Sequence, residues 1–416
     1  MAICVVHAAD LHLDTPFTGL GQVTAPSVAR RLRDATLEAW DALVDLVLRE
    51  RADLLLLAGD IYDGPQRGLR AQLRVLAGLE RLGAAGVRTF IVHGDHDPPG
   101  VWSAVRRWPE GVHVFGSEHV QRVPLSGLGG VAGISPGDEP RNPWRLFRRA
   151  SSGGLEFGLL HGDVDGDPAH PGCAPVSGED LLATGLDYWA LGHAHARREV
   201  HGGGPWIEYP GNLQGLGPGE TGPRGALVVR GDPASGTLEP PCFVALDQVR
   251  FLHLDVDLSA AGDAALALAA VAEAARALRE DHAGRGLVVG LRLVGRSAGA
   301  AELRYLGAAR VLETLRAEAA VLEPPLWWDD VRIEGGTLWD RKQLEGRGDL
   351  VAEVVAQAER LRPEALSLAN EAAGAVAPTA RQAGLPPLEA EGAVQLLDLA
   401  EERCLDLLLQ ARGESS

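Results

Sequence analysis

The chain predicts an α/β fold in which a largely parallel sheet gathers its chemistry along one edge. Two observations predict it. Over residues 1–245, short apolar runs alternate with amphipathic helical stretches, the alternation that builds βαβ units. Five of those runs also end directly on an acidic or histidine cluster. Uninterrupted apolar runs bounded by Gly or Asp are the pattern of strands buried on both faces. Loops at the carboxyl ends of such strands are where α/β proteins place ligands.

In order, Ile3 to Val6 leads to Asp10-Leu11-His12, and Leu54 to Leu57 leads to Asp60. Phe90 to Val92 precedes Asp95-His96-Asp97, Phe157 to Leu160 precedes His161, and Tyr188 to Leu191 precedes Gly192-His193-Ala194-His195. Between them, Leu32, Leu37, Trp40, Leu43, Val44 and Val47 recur at helical spacing, and residues 69–82 repeat that pattern. Residues 202–224 are rich in Gly and Pro, with a turn expected at Tyr209-Pro210-Gly211-Asn212. Ala226 to Val229 reads as a returning strand.

From about residue 246 the texture changes. Leu252, Leu254 and Val256 alternate with polar neighbours, residues 264–279 form an Ala-rich helix, and Leu287 to Val294 is a strand. Residues 301–319 read as one further helix and Val331 to Ile333 as a short strand. This predicts a small α+β domain over 246–345 beside a first domain over 1–245. Residues 346–416 are helical, with apolar faces marked by Leu350, Val351, Val354, Val355 and Leu361, then by Val394, Leu397, Leu405 and Leu408 beyond a break at Gly384 to Pro387. Such faces either pack on the body or receive a partner helix.

The bulk numbers exclude several classes. A 46% hydrophobic content supplies a core. A net charge of −18 argues against a protein that coats nucleic acid, although metals held in a site would supply positive charge locally. Cys4, Cys173, Cys242 and Cys404 make no CxxC pair, so a disulfide framework is not expected and a reducing cytoplasm is the default. No signal peptide or membrane span is expected. The only lysine, Lys342, is followed by Gln343, so there is no P-loop, and any ATP hydrolysis belongs to another chain.

Seven Asp and His residues on one sheet edge suit a pair of metal ions. Two ions ~3.5–4 Å apart activate water and clamp phosphoryl oxygens. Mixed Asp and His ligands favour manganese, iron or zinc over calcium. Asp60, alone at its strand end, is the natural bridge.

Asp-x-His, Gly-Asp, a Gly-Asn-His-Asp-like element, a lone His and Gly-His-x-His, in that order, resemble the calcineurin-like metallophosphoesterases. Residues 9–17 and the stretch from Trp339-Asp340-Arg341-Lys342 to Gly348-Asp349-Leu350 are similar to the SbcD/YhaO-type DNA repair exonucleases. The resemblance implies a four-layer α/β sandwich, with the small α+β domain capping the active-site edge. It implies one metal on Asp10, His12, Asp60 and His195 and a second on Asp60, Asp95, His161 and His193. Manganese is the first expectation, with magnesium, iron or zinc as alternatives. His96 corresponds to the catalytic histidine and Asp97 to its supporting carboxylate. The implied activity is a DNA exonuclease, with endonuclease activity as an extension. Implied partners are DNA, an SMC-like coiled-coil ATPase of SbcC/YhaN type and a second copy of the chain.

One residue departs from the family, which carries Asn where this chain has Asp95. Two divalent ions contribute +4, and Asp10, Asp60, Asp95 and one hydroxide cancel it; with Asn the site would keep +1. Tighter metal binding and weaker attraction for phosphate are expected. Two other readings stay open: a small-molecule phosphodiesterase on the same fold, and a scaffold that binds DNA ends and the ATPase with weakened catalysis. His7 reads as a core histidine, and His113, His119, His170, His201, His253 and His282 as packing or surface residues. Asp14 and Asp63 fit turns or support of the metal loops equally well. Arg30, Arg31, Arg33 and Arg141, Arg145, Arg148, Arg149 are basic clusters suited to phosphates or to a solvated face. Trp327 and Trp328 read as packing residues rather than base-stacking ones.

Overall fold

The computed structural model describes residues 2–20, 26–64, 68–98, 107–137, 143–150, 153–166, 176–319, 321–337, 339–372 and 389–411. Arg141, His170, Cys173 and the break at Gly384 to Pro387 lie outside the described residues. Two compact units emerge: one of Met1–Leu252, Gly284–Val288 and Ala320–Trp327, the other of His253–Ala283, Val289–Ala319 and Trp328–Ser416.

The first unit opens β1 (Ile3–Ala8), α1 (Pro26–Arg49), β2 (Leu54–Ala58), α2 (Leu69–Ala84), β3 (Arg88–Val92) and β4 (Val112–Val114). It continues with β5 (Gln121–Leu125), β6 (Gly129–Ile134), β7 (Leu155–His161), α3 (Gly178–Leu182), β8 (Tyr188–Gly192), β9 (Arg198–His201) and β10 (Trp206–Tyr209). The chain then returns through β11 (Gly225–Asp232), β12 (Thr237–Leu238) and β13 (Cys242–Ala245). One sheet runs β12-β11-β1-β2-β3-β4 with β13 on β11; the other runs β5-β6-β7-β8-β10-β9. β1 to β4 pair in parallel, as do β6, β7 and β8, whereas β11 returns antiparallel to β1.

Strand period sorts the side chains into layers. Ile3, Val5, Leu54, Leu56, Phe90 and Val92 face Val131, Phe157, Leu159, Tyr188 and Ala190 between the sheets. Val6, Ala8, Leu55, Leu57 and Ile91 pack on the other side, against Leu37, Trp40, Leu43, Val44, Val75 and Leu79 of α1 and α2. On the far face of the second sheet, Trp189, Leu191 and Ile207 meet Phe147 and Leu181. These are the four layers of the expected α/β sandwich. All five expected apolar runs are strands, and β2 and β8 are buried throughout because both faces are covered.

His7 lies wholly between the sheets, as its place in β1 predicts. Its Nε2–H donates to the Leu191 carbonyl (3.1 Å), and its Nδ1 accepts from the Tyr188 hydroxyl (3.0 Å). Burial drives its pKa from 6.5 to about 3, against the opposing hydrogen bond to Leu191. Above pH 6.5 the ring is neutral folded and unfolded, and it contributes nothing to pH dependence. Below that, the unfolded chain takes up a proton that the folded one refuses, so stability falls with pH by about 1.4 kcal/mol per unit down to pH 3. Comparing urea unfolding at pH 6.5 and pH 5, His7→Gln should lose about 2 kcal/mol less than wild type over that interval. Equal losses would contradict this assignment.

The second unit contains α4 (Ala264–Asp281), α5 (Ala298–Leu306) and α6 (Ala308–Ala319), with the larger parts of β14 (Val249–Asp257), β15 (Gly286–Val294) and β16 (Leu326–Ile333). β14, β15 and β16 form one sheet in that order. The single helix expected over 301–319 is two, because Gly307 takes φ +84° and ends α5. α7 (Arg341–Glu345), α8 (Leu350–Leu361), α9 (Ala365–Ala372) and α10 (Ala390–Ala411) follow. α10 packs on the unit: Leu405 and Leu409 join Leu344, Val351 and Val355. Its buried Asp406 accepts from Thr337 N (2.9 Å), Arg296 and Arg304. Trp327 and Trp328 are each 3% exposed, so neither offers a ring face to a base. No described helix is long and apolar enough to cross a membrane.

Candidate metal centre

The loops that leave β1 and β2 are stitched together. Asp10 N donates to Gly59 O (3.1 Å), His12 N to Asp60 O (3.0 Å) and Leu13 N to Ile61 O (2.9 Å). This holds the backbone in a costly shape. Asp10, His12, Asp60 and His193 have φ of 52°, 41°, 50° and 103°, a region that non-glycine residues avoid. Each such residue costs about 1–3 kcal/mol and persists where the surroundings dictate it. The following loops need glycines for close approach. A Cβ on Gly94 would run into the Asp60 carboxylate, and one on Gly192 into the Ala58 carbonyl.

All seven expected ligands converge. His12 Nε2 lies 3.0 Å from His195 Nε2 and 3.8 Å from Asp60 Oδ2. Asp60 Oδ2 also lies 3.5 Å from His161 Nε2, which is 2.8 Å from Asp95 Oδ1; His193 Nδ1 is 3.4 Å from the same Asp95 oxygen. Asp10 accepts from His193 N (3.0 Å) and lies 3.9 Å from His161 Nδ1. Ligand-capable atoms thus cluster as Asp10, His12, His195 and as Asp95, His161, His193, with Asp60 in reach of both clusters; Asp10, Asp60 and His161 form a third grouping.

Two of the imidazoles, His161 and His195, are aimed by their other nitrogen. His161 Nδ1–H donates to Ala58 O (2.8 Å), turning Nε2 toward Asp95 and Asp60. His195 Nδ1–H donates to Glu220 Oε1 (2.6 Å), turning Nε2 toward His12. The sequence reading missed Glu220, whose only signal was its place in the Gly/Pro-rich stretch 202–224. Its second oxygen accepts from Asn212 Nδ2 (2.8 Å) and Leu216 N (2.7 Å).

The expected support of His96 by Asp97 needs correction. The His96 Nδ1 is 2.8 Å from Asp63 Oδ1, so Asp63 is the partner. Asp97 is fully buried, and its carboxylate accepts from Ile61 N (3.0 Å), Tyr62 N (3.4 Å) and Gly94 N (2.8 Å). Three backbone amides outcompete a half-exposed ring, and Asp97 thereby fastens the loop after β3 to the loop after β2. Asp14 lies 3.9 Å from Arg70. Among the basic clusters, Arg31 pairs with Glu38 (2.7 Å) and Arg149 with Asp187 (2.6 Å).

The electrostatics fit divalent cations. Burial pushes Asp10 up to about 6 against the pull of His161 and His195, and pushes Asp97 up to about 7 with Asp60 adding to it. Burial, together with the rings of His195, His96 and His161, holds His12 well below the ordinary imidazole range. A buried neutral ring whose Nδ1 has no hydrogen-bond partner and whose Nε2 faces another imidazole nitrogen is a donor set without a cation. Burial pushes the Asp95 carboxyl up, but His161 and His193 outweigh it and hold it well below the usual carboxylate range. Oxygen and nitrogen atoms from five strand ends thus form a donor set suited to divalent metal ions.

Residues 4–197 match the family of calcineurin-like phosphoesterases, and residues 251–336 match the middle domain of the metallophosphoesterase YhaO. The metallophosphoesterase YhaO of Bacillus subtilis (strain 168) is 36% identical over 231 residues, 54% of this chain and 56% of that protein. A DNA double-strand break repair protein Mre11 from Aeropyrum pernix is 28% identical over 239 residues, 51% of this chain and 54% of its own length. A second Mre11, from Sulfurisphaera tokodaii, is 25% identical over 187 residues, 42% of this chain and 47% of that protein. The chain therefore spans about half the length of the curated relatives it matches.

Proposed function

We propose that this chain, whose residues 4–197 belong to the calcineurin-like metallophosphoesterases, is a two-metal DNA exonuclease that hydrolyses phosphodiester bonds in DNA repair. The carrying observation is the pair of Asp/His clusters joined at Asp60, with His96 and Asp63 at their rim. The Mre11 relatives, named for double-strand break repair, support DNA as the substrate.

One ion would be held by Asp10, His12, Asp60 and His195, the other by Asp60, Asp95, His161 and His193, with manganese the first choice. When bound, such ions activate water and neutralise charge on the phosphate. Asp60 keeps the two positions in register because its Oδ2 faces both clusters while its Oδ1 accepts from His96 N (2.9 Å). His96 Nε2 lies 4.0 Å from Asp95 Oδ2, on the side of the ligand clusters, while Asp63 grips Nδ1. Burial opposes a charged ring there, but Asp60, Asp63 and Asp95 outweigh it and raise the His96 pKa. Held by Asp63, the ring is placed to give a proton to the departing oxygen. The reading extends to an SMC-like coiled-coil ATPase met by residues 346–416, to a homodimer, and to residues 246–345 as the part that selects DNA structures. Leu396, Leu399 and Leu407 leave an exposed apolar stripe on α10 that supports a helical partner.

The test compares kcat/KM on linear duplex DNA with that on bis-p-nitrophenyl phosphate, both with manganese. Preference for DNA supports the proposal; turnover of the small diester without DNA cleavage would move the assignment to a small-molecule phosphodiesterase.

Asp95 favours a second reading, a DNA-end and ATPase scaffold with weakened catalysis, because its charge lowers the field that draws in phosphate. Asp95→Asn should raise DNA cleavage about tenfold, or ~1.4 kcal/mol, while weakening manganese binding. Unchanged or lower nuclease activity in that variant would remove the argument from charge.

A further inference from the structure

We infer that Glu220 is a positioning residue for the metal centre: it fixes His195 as a ligand and sets the affinity of one of the two ions. The inference rests on the two-metal reading above. Glu220 touches no expected substrate position. It acts through His195, whose Nδ1–H it accepts at 2.6 Å, so that the lone pair on Nε2 points to His12 and Asp10.

The carboxylate is itself built in. Oε2 accepts from Leu216 N (2.7 Å) and Asn212 Nδ2 (2.8 Å), and Asn212 Oδ1 accepts from Arg224 Nη1 (3.0 Å). Arg224 Nη1 also donates to the His195 carbonyl, and Asn212 N to the same oxygen (3.1 Å). Side chain and backbone of His195 are thus held by one framework, and the Gly/Pro-rich stretch exists in this shape to deliver it. His161 in the other cluster leans on a neutral carbonyl, Ala58 O. A carboxylate behind an imidazole raises its donor strength more than a carbonyl does. The two ion positions are therefore unequal: one is strengthened from behind by Glu220, the other in front by Asp95.

A glutamine at 220 cannot replace the carboxylate. Its NH2 would face either His195 Nδ1–H or the donors of Leu216 and Asn212, and each is donor against donor. Manganese titration of metal-stripped full-length chain, by calorimetry, reads the consequence. Wild type should bind two ions per chain. Glu220→Gln should bind one of them as wild type does and the other about tenfold to hundredfold more weakly. The spin-coupled dimanganese signal in electron paramagnetic resonance should fade at metal concentrations that saturate wild type. Glu220→Asp, which keeps the charge but not the reach, should fall between the two, and it carries the test if the glutamine variant does not fold. Two ions bound with wild-type affinity in both variants would overturn the inference while leaving the metal centre intact. So would equal weakening of both ions with a matching drop in the metal-free unfolding midpoint, the mark of a mere loop strut. A wild-type chain that binds no manganese would overturn the two-metal reading and this inference together.

Discussion

Replacing Asp60 by alanine is expected to abolish paired metal binding and lower DNA cleavage by about a thousandfold or more, at least ~4 kcal/mol of transition-state stabilisation. Asp60 is almost fully buried, and its Oδ2 sits 3.8 Å from His12 Nε2 and 3.5 Å from His161 Nε2, one atom between two clusters. Asp10 groups with His12 and His195 and lies 3.9 Å from His161 Nδ1, the nitrogen that faces Ala58 O, whereas Asp60 meets His161 at Nε2; Asp95 meets His161 and His193. The variant also loses the acceptor for His96 N, so the loop carrying the acid loosens with the bridge. Metal content per chain and kcat/KM measured together check this. The rise in unfolding midpoint that manganese gives wild type should shrink in proportion to lost affinity. Two ions retained with near wild-type turnover would remove Asp60 from its assigned place.

His96→Ala should separate chemistry from metal binding. The ring is about half exposed and is held by Asp63, so deleting it leaves both ligand clusters in place. Manganese stoichiometry is expected to stay at two, while DNA cleavage falls by about 10²–10⁴-fold, the usual worth of a positioned general acid. The leaving group gives the sharper reading. A 3′- or 5′-oxygen of DNA departs as a strongly basic alkoxide and needs the proton; p-nitrophenolate does not. The variant should therefore lose far less on a p-nitrophenyl diester than on DNA. Equal losses on both substrates would show that His96 holds the phosphate rather than protonating the departing oxygen.

Much of the fold was legible because parallel strands covered on both faces announce themselves as uninterrupted apolar runs. Leu54 to Leu57 admits no other comfortable position, and the polar residue that ends it falls at the carboxyl edge. That logic brought Asp10, His12, Asp60, Asp95, His161, His193 and His195 to one edge, where the structure also gathers them. Short or irregular strands such as β4, β9 and β12 carry too few apolar residues to be seen. The supports of the site were hidden for another reason. Which carboxylate reaches which ring depends on loop conformation, and these loops use φ values that no periodicity predicts. Adjacent placement suggested Asp97 for His96, but the turn after β3 points Asp97 inward to three amides and brings Asp63 from the neighbouring strand end. Glu220 lies 25 residues beyond the ring it holds, in a stretch whose composition says only that it turns.

Metal-dependent nuclease activity is tested most directly by cleavage of end-labelled double-stranded DNA by metal-stripped chain given manganese, magnesium or EDTA, with His96→Ala beside wild type. The labelled strand should shorten with manganese, stay intact with EDTA, and shorten little in the variant. Intact DNA in every lane from a wild-type chain shown to hold two manganese ions would contradict it.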